Sequence, residues 1–200
     1  MITYLITAMF GYLLGSIPFG LVLCKIFGLG DIREIGSKSI GATNVLRTGN
    51  KSLALATLLL DSGKGAIAVL ITASILSDFN ASMIAGLFAL IGHCHPIWLK
   101  FKGGKGVATA AGTLLALVWP LGLSACAIWL LSALIFRISS LSALITAGLT
   151  PLIAHYMYDN SNLSGFCAMM ATLIYIKHRP NIKRIIAGEE PKIGKKEKTK

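Results

Sequence analysis

SLALATLLLDSGKGAIAVLITASIL, residues 52–76, is followed after the polar quartet Ser77, Asp78, Phe79 and Asn80 by ASMIAGLFALIGHCHPIWL, residues 81–99. Each run matches the roughly 20 apolar residues that carry a helix across about 30 Å of hydrocarbon. Two such runs joined by so short a turn make a helical hairpin through a membrane.

Outward from that hairpin the pattern repeats. Ile2 to Phe27 precedes it, with no basic segment ahead and no small-x-small cleavage site, so it reads as a retained helix kinked by Gly15, Pro18 and Gly20. Val107 to Val118, Leu121 to Phe136, Ser139 to Tyr158 and Leu163 to Ile176 follow, separated by Trp119-Pro120, by Arg137-Ile138 and by the Asp159 to Asn162 turn. The fold class is an all-α integral membrane protein of seven transmembrane helices, the fourth being the shortest.

Composition agrees. The 200 residues are 54% hydrophobic and only 14% charged, with a mean hydropathy of +0.73, which excludes a water-soluble globule. One membrane-embedded domain is expected over residues 1–191, with a basic, disordered tail over 192–200. Cys24, Cys94, Cys126 and Cys167 lie in or beside apolar stretches with no CxxC pair, so they read as small core residues.

The net charge of +11 is read against loop position before any polyanionic partner is considered, and no nucleic-acid partner is expected. With the amino terminus outside, the inner segments hold Lys25, Arg33, Lys38, Arg47 and Lys51, then Lys100, Lys102 and Lys105, then Arg137, then the bases from Lys177 to Lys200. The outer turns hold Asp78 and Asp159 and no base. Apart from Lys25 near the end of the first run, Lys64 alone among the bases falls inside a span, and six spans would scramble this partition. The expected location is a bacterial inner membrane, with the carboxyl terminus in the cytoplasm and the basic face against anionic lipid.

Three polar stretches emerge on that inner face. Gly36 to Arg47 combines glycines, hydroxyls and an arginine whose fork suits phosphate; it reads either as an anion nest or as a flexible connector. Lys100 to Thr109 interleaves three lysines with three glycines at a helix start, which offers backbone donors and a mobile cation to a phosphate oxygen. It is no nucleotide loop, since Leu99 stands where a Walker motif requires glycine. His178 to Glu189 follows the last span; a basic run there commonly stops transfer, but His178 and Asn181 among the bases suggest a share in a common site.

Asp61 and Lys64 sit three apart on one helical face, a pair more plausible in the bundle than two lone charges in lipid. Structure and site remain alternatives for it. His93, Cys94 and His95 mark a helix end better than a metal, because adjacent helical residues diverge and further ligands are lacking. The serines from Ser139 to Ser142 cap the sixth span or, through Ser142, add a hydroxyl to the inner face. No metal or cofactor is expected.

These three blocks, in this order between spans, resemble those of the bacterial acyl-phosphate:glycerol-3-phosphate acyltransferase family over essentially the whole chain. The resemblance implies a cytoplasmic-face active site that moves a fatty acyl group from acyl phosphate to the 1-hydroxyl of glycerol 3-phosphate, releasing lysophosphatidic acid and phosphate. Carried over by position, it implies Ser37, Arg47, Thr43, Asn44, Gly103, Gly104, Lys105, His178 and Asn181 as site residues; of these we read Ser37, Lys105, His178 and Asn181 as catalytic and the others, joined by Ser142 from the serine run, as substrate-binding. The enzyme that makes acyl phosphate is an expected partner. One departure is Lys38-Ser39, where the family usually has Gly-Asn after the serine.

The residues also speak to mechanism. Acyltransferases that use thioester donors carry a His and Asp five apart, whereas Trp98, Lys100, Asn160 and Lys183 stand five after the four histidines. An acyl phosphate is already a mixed anhydride, so electrostatic positioning can replace general-base activation, with a substrate phosphate oxygen taking the proton. The rival reading is a small anion or phosphate transporter, against which the one-sided placement of the cationic loops argues. A lipid-binding assembly factor would account for the basic face but not for three separate blocks.

Overall fold

The computed structural model describes residues 1–194, and all regular structure among them is helical. In chain order the helices are α1 (Ile2–Gly15), α2 (Phe19–Ile26), α3 (Ala42–Val45), α4 (Lys51–Leu76), α5 (Phe79–Cys94), α6 (Val107–Leu117), α7 (Trp119–Phe136), α8 (Ser139–Tyr158), α9 (Ser161–Lys177) and α10 (Arg179–Ile186). Ile2–Ile26, Lys51–Leu76, Phe79–Leu99, Trp119–Phe136 and Ser139–Tyr158 are long and apolar enough to cross a membrane. The 17-residue α9 and the 11-residue α6 complete the seven passes. Residues 195–200 of the expected tail lie outside the described residues, while Ile193 N–H donates to Arg137 O at 2.7 Å.

The turns follow from local chemistry. Ser77, Arg137 and Asp159 each close a helix in the left-handed region, at φ 49°, 55° and 43°, and the next residue is the N-cap of the following helix. Asp78 accepts from Asn80 N–H and Ala81 N–H, and Asn160 accepts from Leu163 N–H, so both of these turns are capped. The α8 serines do not cap: Ile138 is the cap residue, without a side-chain bond. The expected kink in the first span is a full break, with α1 ending at Gly15 and α2 starting after Pro18.

Helix association rests on small residues, as it must where lipid removes the hydrophobic drive between helices. A Cβ on Gly11 or Gly15 would overlap the Ala85 or Ala89 carbonyl, and one on Gly112 would overlap that of Ser62, so α1 seats on α5 and α6 on α4. Large apolar side chains such as Leu130, Leu134 and Ile135 point outward to lipid.

One length difference shapes the face that carries Lys105. Helices α6 and α7 share Val118 as their boundary, yet α7 has 18 residues and α6 only 11. Running back from that shared end, α6 stops about 10 Å short of the level α7 reaches, at about 1.5 Å per residue. The segment before α6 therefore dips into the bundle, and it carries Lys105.

Candidate active site

The Gly28 to Asn50 segment folds around one amide. Asn44, 1% exposed, donates through Nδ2 to Ile32 O at 2.6 Å and Ser39 O at 2.8 Å, while its Oδ1 accepts from Ser37 N–H at 3.0 Å and Ser37 Oγ at 3.3 Å. Ile32, Ile40 and Val45 then plug the loop into Leu21, Cys24, Leu53 and Ala54 of α2 and α4. The segment is thus a built loop, not a flexible connector, and Asn44 is committed to its interior. Arg47 is exposed and lies over Gly36, where a Cβ would stand 2.6 Å from its Cδ and Nη1. Thr43 Oγ1 lies 3.5 Å from Ser139 Oγ and ties the loop to the start of α8.

The second loop differs from expectation in its amides. Gly103 N–H donates to Cys94 O at 3.2 Å and Gly104 N–H to His93 O at 3.0 Å. Both donors are occupied by these bonds. A Cβ on Gly103 would strike the His93 carbonyl and Pro96, and one on Gly104 the His93 ring. These glycines permit close packing that presses the loop against the end of α5. The free donors lie further on, at the first turn of α6, which has no side-chain cap.

Lys105 occupies the recess. Burial draws its ammonium down to about 8, Glu190 opposes that, and Arg184 and Arg47 reinforce it. One lysine thereby reports contributions from all three blocks at a single place.

The third block supplies a buried polar cluster. His178, 2% exposed, is pulled down to about 4 by burial, with the Ile174 carbonyl opposing and Lys105 adding to the fall. Its Nδ1 lies 2.8 Å from Ile174 O, and a carbonyl can only accept, so the ring is the neutral Nδ1–H tautomer with Nε2 as an acceptor. Asn181, also 2% exposed, donates to Glu190 Oε1 at 2.5 Å and leaves Oδ1 buried without a hydrogen-bond partner.

Glu190 was not among the predicted site residues. It accepts from Ser140 Oγ at 2.6 Å and from Arg184 Nε at 2.7 Å as well as from Asn181. Burial would raise its carboxyl, but those three hydrogen bonds hold it below the usual range. The sequence offered little signal, since Glu190 is one of five acids, with Asp31, Glu34, Glu189 and Glu197, among the basic loops. Ser140, not Ser142, faces this cluster: Ser142 is fully buried and its hydroxyl donates back to Ile138 O at 3.0 Å.

Together these residues gather a half-buried cation whose charge Arg47 and Arg184 act on, a neutral imidazole acceptor and an unpaired amide oxygen. A helical membrane bundle built this way is a membrane-embedded protein that handles phosphate groups. The chain belongs to the glycerol-3-phosphate acyltransferase family, whose model matches residues 5–188. Relatives of that name from Jannaschia sp. (strain CCS1) and Rhodospirillum rubrum are 58% and 56% identical, over 95% and 96% of this chain and 93% and 92% of theirs. Its fold is similar to crystal structures of PlsY (YgiH), an integral membrane glycerol 3-phosphate acyltransferase. The glycerol 3-phosphate form superposes with a TM-score of 0.89 at 36% identity, covering 96% of both chains. The lysophosphatidic acid form gives 0.87 at 35%, covering 96% of this chain and 95% of that one. The protein is an integral membrane enzyme, and the transporter reading falls.

Proposed function

We propose that the protein transfers a fatty acyl group from acyl phosphate to the 1-hydroxyl of glycerol 3-phosphate at the cytoplasmic face of a bacterial inner membrane. The observation that carries this reading is that the three loops meet at one place, with half-buried Lys105 close enough to Arg47 of the first loop and His178 of the third for their charges to act on one another. Lys105 and the first-turn amides of α6 hold the phosphate that departs, and Arg47 grips the other phosphate with its fork. Ser37 and Asn181 orient the acceptor and the reacting carbonyl, with His178 Nε2 accepting a hydrogen bond from Lys105 or from the acceptor hydroxyl. Thr43 lies at the rim beside Ser139.

The hydroxyl oxygen attacks the acyl carbonyl, and the carbonyl carbon to phosphate oxygen bond breaks. The hydroxyl proton passes to a phosphate oxygen, so lysophosphatidic acid and inorganic phosphate leave with charge balanced. A neutral His178 near 4 is a poor general base, which favours this substrate-assisted route. The enzyme that makes acyl phosphate is the partner that must deliver the donor, and anionic lipid meets the basic face.

Purified protein in liposomes, given radiolabelled glycerol 3-phosphate, tests the donor. Labelled lysophosphatidic acid should form with acyl phosphate and not with acyl-CoA or acyl carrier protein. Comparable turnover with acyl-CoA would overturn the reading.

A further inference from the structure

We propose that the buried Asp61, Lys64 and His93 form a positioning strut that fixes the separation of the two substrate loops, the one carrying Ser37 and Arg47 and the one carrying Lys105. The inference rests on the reading that both loops touch substrate. All three side chains are almost fully buried, at 2%, 2% and 4% exposure, within the spans. Charges placed there are costly, and an apolar pair of similar volume would hold a helix in a bundle at no greater cost, so a stabilising role alone accounts poorly for them.

The geometry shows what they join. Lys64 Nζ lies 2.9 Å from Asp61 Oδ1 and donates to Ile17 O at 2.9 Å. Ile17 stands in the break between α1 and α2, where a carbonyl has left the helical ladder. The same ammonium sits 5.7 Å over the Phe19 ring at the start of α2. From there the contact is direct: a Cβ on Gly20 would overlap Ile40 O, so α2 bears on the Ser37 to Arg47 loop. In the other direction Asp61 Oδ1 is 3.6 Å from His93 Nδ1. His93 receives the Gly104 N–H on its carbonyl at 3.0 Å and presents its ring to Gly104, the neighbour of Lys105. One chain of contacts therefore runs from the first loop to the second through two charges and a ring, and none of its members is needed to touch substrate.

The test is Asp61→Leu combined with Lys64→Met, which removes both charges together and leaves no unpaired ion. The strut predicts a melting temperature near native, faster hydrogen exchange across 36–47 and 100–106, and kcat lower by about tenfold to a hundredfold, since displacements near 1 Å cost that much. Native kcat with native exchange in both loops would overturn it. His93→Phe keeps the ring volume and the ion pair, and carries the test alone where the paired variant does not assemble. Faster exchange in 100–106 with reduced kcat supports the strut, and native values of both overturn it. Hydrogen exchange requires no donor, so an error over acyl phosphate would be seen separately in the donor assay.

Discussion

Asn181 Nδ2 donates to Glu190 Oε1 at 2.5 Å, and that same oxygen accepts from Ser140 Oγ at 2.6 Å. One carboxylate thereby binds the segment after α10 to the first turn of α8. Removing it strips partners from buried polar groups, so Glu190→Ala should destabilise the protein by about 2 kcal/mol or more. The carboxyl lies below its ordinary value of 4.5 in the folded protein. Its contribution is therefore complete above that value and disappears as pH falls through the lowered one. Melting curves from pH 7 to pH 3 should show native and Glu190→Ala protein converging at the acid end.

Lys105 should set the alkaline limb of activity. Its ammonium, drawn to about 8, is the form that binds a departing phosphate, so kcat/KM should decline as pH rises through that region. Lys105→Arg retains charge at every such pH and should abolish that limb, even at lower absolute rate. Lys105→Ala should lose about 3 kcal/mol of transition-state stabilisation, roughly a hundredfold in turnover. A limb unmoved in Lys105→Arg would assign the titration elsewhere.

Topology is checked by reporter fusions. If the one-sided bases set the orientation, fusions at Asp78 and Asp159 should read outside and those at Gly104 and Lys195 in the cytoplasm. Removal of 195–200 should leave turnover intact while weakening attraction to anionic lipid, because the lysines there add to the charge drawn by the surface potential. A cytoplasmic signal at Asp159 would break the seven-pass order.

Much of this was legible from local pattern. Apolar run lengths located the passes. What stayed hidden depended on contacts distant in sequence. Glu190 looked like one more tail charge, since Ser140 lies 50 residues away. Gly103 and Gly104 suit either an exposed amide or close packing, and only the position of His93 decides for packing. Asn44 reads as a ligand in sequence because nothing local shows that Ile32, Ser37 and Ser39 consume its amide. The short α6 was visible as a short run, but its consequence for the depth of Lys105 required knowing that α7 begins at once after Val118.

The last prediction separates the charge of Arg47 from its placement. Arg47→Lys keeps a cation at the loop but loses the planar fork, so glycerol 3-phosphate KM should rise and turnover fall. Gly36 offers an independent handle, since its φ of +51° already disfavours a side chain and a Cβ there would stand 2.6 Å from Arg47 Cδ and Nη1 and from Asn44 Oδ1. Gly36→Ala should therefore push the guanidinium aside with its charge and fork intact. If placement matters, Gly36→Ala and Arg47→Lys will show similar losses, and the double variant will lose little more than either alone, as residues acting as one unit do. Multiplied losses in the double variant would mean that Gly36 acts through Asn44 and the loop backbone instead. Native kinetics in Arg47→Lys would remove the bidentate grip from the mechanism and leave Lys105 as the cation that matters.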